Sequence, residues 1–235
     1  MRSLASRVLV VYGPRATRED RSREMNLTQT EGRVARRQRL VREALVRAAR
    51  IVMSEKGVDG ATMLEIAARA DVGAGTVYNY FKSKDDLAVA VLEEMMYDLG
   101  LRIEKVTDTF EDPAQVYAFG IRTVLETATR DVRWKQLLNR SEVIANAIFR
   151  RMGPFAIRDL RLAARAGRFF VDDPDLVWKL ATHAIVGVSL AITDGEVPET
   201  AIDETVVRLL CMTGIGDEAA RELASRPRPA LETER

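Results

Sequence analysis

Residues 62–81 read T-M-L-E-I-A-A-R-A-D-V-G-A-G-T-V-Y-N-Y-F, with Lys84 three residues beyond. This short run gathers hydroxyls (Thr62, Thr76, Tyr78, Tyr80), one amide (Asn79) and a nearby ammonium. Such neutral donors and acceptors, flanked by isolated cations, suit hydrogen bonding to phosphates and base edges better than bond-making chemistry. The chain's single Cys (Cys211) excludes an internal disulfide framework and any all-Cys metal site. Its single His (His183) excludes catalytic and zinc constellations that need two within one chain. The run Gly73-Ala74-Gly75-Thr76 has no preceding strand and no third Gly at the right offset, so a dinucleotide site is not expected. No cofactor, no metal and no enzymatic activity are expected; a carboxylate-only enzyme is the form an enzyme would have to take.

The elements that position these groups read as helices throughout the 235 residues. Leu40, Ala44, Leu45, Ala48, Ile51 and Val52 mark an amphipathic helix from about Arg36 to Lys56, with Gly57 as its C-cap. Thr62, with Glu65 three residues on, has the capping-box pattern and opens a second helix that stops near Asp71. A third, short helix covers about Gly75 to Tyr80. Two short helices with small residues at their crossing form the pattern of a helix-turn-helix. Ile66, Val72, Val77 and Phe81 lock it, leaving Ala74, Gly75, Thr76, Asn79 and Tyr80 facing outward or partly so. A fourth helix starts at Ser83 and extends to about Phe110. Further helices are expected from Pro113 to Arg130, Val132 to Met152, Phe155 to Arg168, Pro174 to Thr193, Glu199 to Thr213 and Asp217 to Ser225. The pair Gly153-Pro154 is read as a break.

Charge divides along the same lines. Residues 1–24 hold six Arg against three acids, residues 25–85 eleven basic against seven acidic, and residues 86–235 nineteen against twenty-five. A basic N-terminal third on an acidic remainder implies a polyanion-binding module joined to a body with another task. Residues 1–30 read as a disordered tail, with Met25 an alternative start, followed by a DNA-binding domain at 31–85, a helical body at 86–226 and a frayed tail at 227–235. Arg36 and Arg37, with Arg33, Arg39 and Arg42, form an arm that enters a minor groove or makes non-specific phosphate contacts. No apolar run approaches the length of a membrane span and no signal-peptide core is present, so a cytoplasmic protein without membrane attachment is expected.

The run from Thr62 to Leu87 resembles the tetracycline-repressor (TetR-type) family of one-component bacterial transcription regulators. The resemblance rests on Thr62, Ile66-Ala67, Ala70, Val72, Gly75-Thr76-Val77-Tyr78, Tyr80-Phe81, Lys84 and Leu87, and covers residues 36–92. It implies an all-α fold: a three-helix helix-turn-helix domain, then a larger helical domain for effector binding and dimerisation. It also implies phosphate contacts from Thr62, Tyr78 and Lys84, and positions nearest base edges for Ala74, Gly75, Thr76, Asn79 and Tyr80. Two residues depart from the family pattern: Asp71 stands where Gly is frequent, and Gly73 where Ser or Thr is frequent.

A single helix-turn-helix reads only a half-site, so a homodimer on a palindromic operator is the expected partnership. Residues 176–192 carry almost no charge, and Ala184, Gly187, Val188 and Ala191 form a small-residue stripe. With Val206 and Leu210 of the last long helix they form a four-helix interface with the symmetry mate, or else a helix buried within one subunit. The helices between residues 113 and 168 are expected to enclose an effector. Tyr117, Trp134, Phe149, Phe155 and Phe169 are candidate lining residues, with Phe119 and Phe170 as further aromatics. His183, Asn139 and Asn146 are candidate orienting groups; His183 is equally readable as a satisfied buried or interface residue. The expected function is a repressor released from its operator by a small apolar or aromatic effector. The alternative is a helix-turn-helix scaffold acting through protein contacts, or through non-specific DNA binding, with no small-molecule effector.

Overall fold

The computed structural model describes residues 32–130 and 141–231; Trp134 and Asn139 lie outside the described residues, as do the expected tail over 1–30 and the first part of the helix expected from Val132. Nine helices and no strand occur among the described residues. They are α1 (Arg33–Gly60), α2 (Met63–Arg69), α3 (Ala74–Tyr80), α4 (Lys84–Thr107), α5 (Pro113–Arg130), α6 (Ser141–Arg165), α7 (Pro174–Thr193), α8 (Ala201–Cys211) and α9 (Asp217–Ser225). The chain packs as two units, one ending at Glu43 and one from Ala44 to Arg235. In the first, Arg33, Arg36 and Arg37 are exposed on regular helix, and Arg39 pairs with Glu43 at 2.8 Å. The expected arm is therefore helical from Arg33 onward.

In the second unit the local signals act as their chemistry dictates. Gly57 takes φ 75°, breaking α1 one turn before its end. Thr62 caps α2 with both halves of the capping box in place: Glu65 N donates to Thr62 Oγ1 at 3.2 Å and Thr62 N donates to Glu65 Oε2 at 3.2 Å. Ser83 caps α4 through Asp86 N at 3.0 Å, and Asp173 caps α7 through Leu176 N at 3.0 Å. Asp85 and Asp86 in the first turn of α4 complement the helix dipole.

Gly153-Pro154 does not end a helix. α6 runs through it to Arg165. Proline lacks the N–H that would reach back four residues, so its helix needs help from outside. The carbonyl left without that donor is Arg150's; Trp178 of α7 binds its neighbour, the indole Nε1 donating to the Phe149 carbonyl at 3.3 Å, and so ties α7 to α6 beside the proline. Gly153 lets the indole in, because a Cβ there would stand 3.3 Å from Nε1. Trp178 is itself fully buried. Tertiary packing thus overrides a helix-breaking signal.

The core of the body is α5. Tyr117, Ala118, Phe119, Ile121, Val124, Leu125 and Ala128 are all buried, and α4, α6, α7, α8 and α9 pack around this helix. α4 and α6 approach closely at Gly100, where a Cβ would lie 2.7 Å from the Phe155 ring. Ion pairs tie the same two helices: Glu93 to Arg150 (2.6 Å) and Arg151 (2.9 Å), and Glu104 to Arg158.

Candidate functional site

Ile66, Ala67, Val77, Phe81 and Leu87 are buried and clamp α2, α3 and the start of α4 together. The turn between α2 and α3 is a Schellman cap: Val72 N donates to Ala67 O (3.0 Å) and Asp71 N to Ala68 O (3.2 Å). Such a cap needs a left-handed residue, and Asp71 occupies that place with φ 54°. Gly73 caps α3 without a side-chain bond; its carbonyl accepts from Thr76 N at 2.8 Å.

With Val77 fully buried, Gly75 and Asn79 stand on the opposite side of α3, both exposed. Ala74 is exposed beside them, Thr76 and Tyr80 are half-buried, and Tyr78 is 56% exposed despite its size. An aromatic ring so open to water at the end of a recognition helix is available to a partner. Thr62 is exposed; its hydroxyl lies 2.9 Å from Glu65 Oε2. Lys56 pairs with Glu65, and this pair, with the Thr62 hydroxyl, holds the Glu65 carboxyl below the ordinary carboxylate range. Lys84 is anchored: its ammonium donates to the Asp59 carbonyl at 2.7 Å, joining the start of α4 to the end of α1. Lys82, exposed in the preceding turn, was not among the expected contacts, although its place two residues before Lys84 is the signal that identifies it.

In the body, the structure brings Tyr117 and Phe169 together, edge to face, with ring centroids 5.7 Å apart. Tyr117 is 1% exposed, and its hydroxyl is buried without a hydrogen-bond partner among the described residues. Burial, reinforced by the charge of Asp159, pushes its phenol well above the usual tyrosine range. Asp159 is itself buried and receives Arg158 Nε at 2.9 Å; the same guanidinium reaches Glu104 of α4. Phe155 lies near Tyr97 (6.1 Å) and beneath the Arg158 guanidinium (5.9 Å). Phe149 is half-buried under the Lys179 ammonium, 4.8 Å from its ring centre.

Arg158, Asp159 and Glu104 were missed in the sequence. Their signal was a carboxylate on an apolar face: Ile148, Met152, Phe155, Asp159 and Ala163 follow at helical spacing and are all buried. Near the C-terminus, a small open cleft is lined by Phe110, Phe119, Arg122, Leu223, Arg226 and Arg228. Its guanidiniums are already engaged, Arg122 with Asp203, Arg226 with Asp112 and Arg228 with Glu126.

Three expected placements require correction. His183 does not point into the body: its ring is exposed on the outer face of α7, with Nδ1 donating to the Lys179 carbonyl of its own helix at 2.8 Å. Val206 and Leu210 are fully buried inside the protomer, because α8 turns its apolar face onto α5 and α9. The outer face of α8 is charged instead, with Glu204 and Arg208 paired to Arg221 and Asp217. On α7, by contrast, Leu176 (53%) and Leu180 (51%) are exposed in line with His183 and Gly187, while Ala184, Val188 and Ala191 are half-buried. α7 is long and apolar enough to cross a membrane by length and composition, yet only a third of that stretch is buried.

Two family models match the chain: bacterial regulatory proteins of the tetR family over residues 45–91, and a tetracyclin repressor-like C-terminal domain over residues 112–226. The HTH-type transcriptional repressor DhaR of Mycobacterium sp. (strain GP1) is 36% identical over 72 residues, 31% of this chain. That match spans about a third of the repressor's length, 35%. Among solved structures, RolR in complex with resorcinol is 30% identical with a TM-score of 0.74, covering 84% of this chain and all of RolR. RolR without ligand superposes with a TM-score of 0.72. The regulator FadR of Bacillus subtilis in complex with stearoyl-CoA, 18% identical with a TM-score of 0.52 over 74% of this chain and 99% of its own, shares the fold. With a capped helix-turn-helix, an all-helical body and a full-length relative at this identity, the chain belongs to the tetracycline-repressor family of transcription regulators.

Proposed function

We propose that this protein is a homodimeric, cytoplasmic repressor that leaves a palindromic operator when a small hydroxylated aromatic molecule enters its body. It works by binding and not by turnover. The observation that carries the reading is the Tyr117 hydroxyl, buried with no hydrogen-bond partner among the described residues and within the field of the Asp159 carboxylate. An unpaired buried hydroxyl costs roughly 1–3 kcal/mol of stability. A ligand hydroxyl that accepts from Tyr117 and donates to Asp159 would recover that cost, and Phe169 offers a ring edge to an aromatic face. RolR, the relative described above, was solved with resorcinol, a compound of this class. Because Tyr117 is closed off from solvent, the ligand reaches it only by parting helices that also hold α4, and α4 carries the helix-turn-helix at its start. Preferential binding to the parted state is what lets an effector shift the DNA-binding equilibrium.

The exposed apolar face of α7 supports dimerisation. Gly187 sits mid-helix with nothing within 4 Å of where its Cβ would be, so the fold of one protomer does not call for glycine there. A helix from a second copy, approaching closely, does. The DNA-contacting set is Thr62, Tyr78 and Lys84 with Arg36 and Arg37 on phosphates, and Ala74, Gly75, Thr76, Asn79 and Tyr80 at the groove.

The test is fluorescence anisotropy on a duplex from upstream of the coding region, followed by reversal with a panel of benzenediols and apolar controls. Benzenediols are expected to release the DNA and apolar analogues to fail. Tyr117→Phe is expected to weaken the benzenediol by roughly fivefold or more while leaving stability equal or higher, since the orphan hydroxyl is gone. Release by alkyl chains, or an unchanged response in Tyr117→Phe, would refute the phenolic reading. Specific DNA binding that no small molecule reverses would favour a regulator without an effector.

A further inference from the structure

The recognition helix carries information about which bases it reads. We infer that this protein reads adenine and thymine edges in its half-site, with Asn79 pairing an adenine and the methyl groups of Ala74 and Thr76 meeting thymine, and that α3 makes no guanine contact through a charged side chain. The inference rests on the proposed reading of the chain as an operator-binding regulator.

Its first support is the geometry of α3. Successive positions turn by about 100°. Fully buried Val77 therefore directs Gly75 and Asn79 outward along one ridge, with Thr76 and Tyr78 on its flanks. In a helix-turn-helix this ridge is the surface that enters the major groove.

The second support is chemical. Guanine is read best by the paired donors of Arg or Lys, cytosine by a carboxylate, adenine by the amide of Asn or Gln, and the thymine methyl by small apolar groups. The seven residues of α3 are Ala74, Gly75, Thr76, Val77, Tyr78, Asn79 and Tyr80. They hold an amide and two small methyl-bearing side chains, and no Arg, Lys, Asp or Glu. Nearby basic groups are held elsewhere. Arg69 pairs with Glu55 at 3.3 Å, Lys84 sits on the Asp59 carbonyl, and Lys82 lies beyond the end of α3. Charged donors are thus absent from α3 itself, and its neutral side chains are left to discriminate bases.

The third support is Gly75. It has no unusual backbone angle, and a Cβ added to it would meet nothing within 4 Å. A glycine inside a helix lowers stability relative to alanine, and nothing in the protein's own packing requires it here. It lies one turn before Asn79 on the same ridge. Asn is a short reader, and a bare backbone one turn away lets the helix settle deep enough for its amide to reach an adenine edge.

The experiment is selection by the full chain from a pool of randomised duplexes, repeated with Asn79→Ala, Asn79→Arg and Gly75→Ala. An enriched inverted repeat is expected, with an A·T pair at the position where Asn79→Ala relaxes the preference. The wild type should favour that pair over G·C by roughly fivefold or more. Asn79→Arg should move the preference there toward guanine. Gly75→Ala should weaken binding to the selected duplex while the thermal midpoint stays level or rises. A G·C pair at the Asn79-dependent position overturns the inference, as does an unchanged preference in Asn79→Ala. Failure of the wild type to enrich any inverted repeat overturns the operator-binding reading itself, and so is distinguishable from both.

Discussion

The helix-turn-helix and the body treat their polar side chains in opposite ways. Between Thr62 and Lys84 the polar groups sit at the surface, positioned by caps and turns that are complete within a few residues. Asn79, Tyr78 and Gly75 face solvent. In the body, Tyr117 of α5 and Asp159 of α6 are buried, and half-buried Arg158 links Asp159 to Glu104 of α4. One region offers hydrogen bonds outward; the other holds a buried hydroxyl with no partner among the described residues.

The comparison can be broken most forcefully at α7. Leu180→Glu places a charge in the centre of the exposed apolar face without touching the protomer core. It should yield a monomer by light scattering at micromolar concentration, with a normal helical spectrum and loss of operator binding. A dimer that persists would mean that another face joins the copies.

The next effect in size comes from Trp178→Ala. It removes the indole that serves the Phe149 carbonyl and fills the space beside Gly153. The expected loss is about 3–5 kcal/mol, read from urea denaturation. A much smaller loss would show that α6 passes its proline without this support.

Asp71→Gly tests the helix-turn-helix. The substitution removes left-handed strain from a Cβ-bearing residue, offset in part by the freedom glycine gains in the unfolded chain. Stability should rise by roughly 0.5 kcal/mol. Removing a negative charge near DNA should also strengthen binding at low salt, and a salt titration would reveal it.

The smallest effect concerns acid. Burial alone would raise the Glu93 carboxyl, but the Arg150 and Arg151 guanidiniums outweigh it and hold the group below its ordinary value. A carboxylate depressed in the folded state contributes stability above its unfolded pKa and loses it as pH falls through the folded value. Denaturation midpoints of wild type and Glu93→Gln should therefore differ at neutral pH and converge in acid. A difference that persists in acid would assign the effect to packing.

The helical periods, the capping box at Thr62, the caps at Ser83 and Asp173 and the helix-turn-helix itself were legible because each is set by residues within a turn or two of one another. The same locality made Ala74, Gly75, Thr76 and Asn79 readable as an outward set once Val77 was taken as the anchor. The break expected at Gly153-Pro154 did not form because Trp178, some two dozen residues downstream, packs against Gly153 and bonds the Phe149 carbonyl, holding α6 against α7 across the proline. Val206 and Leu210 were misplaced for a related reason. An apolar stripe states that a helix buries one face, and not whether that face meets its own chain or a second copy.

By itself, then, the sequence determined a helical regulator of this family whose short third helix carries only uncharged side chains, since propensity, capping and local spacing carry that information. Tertiary structure alone decided that α7 and not α8 presents the apolar outer face, that His183 stands on it, and that the Tyr117 hydroxyl is buried with no partner among the described residues. Those outcomes depend on which helices share a boundary, and packing settles that across tens of residues of intervening chain.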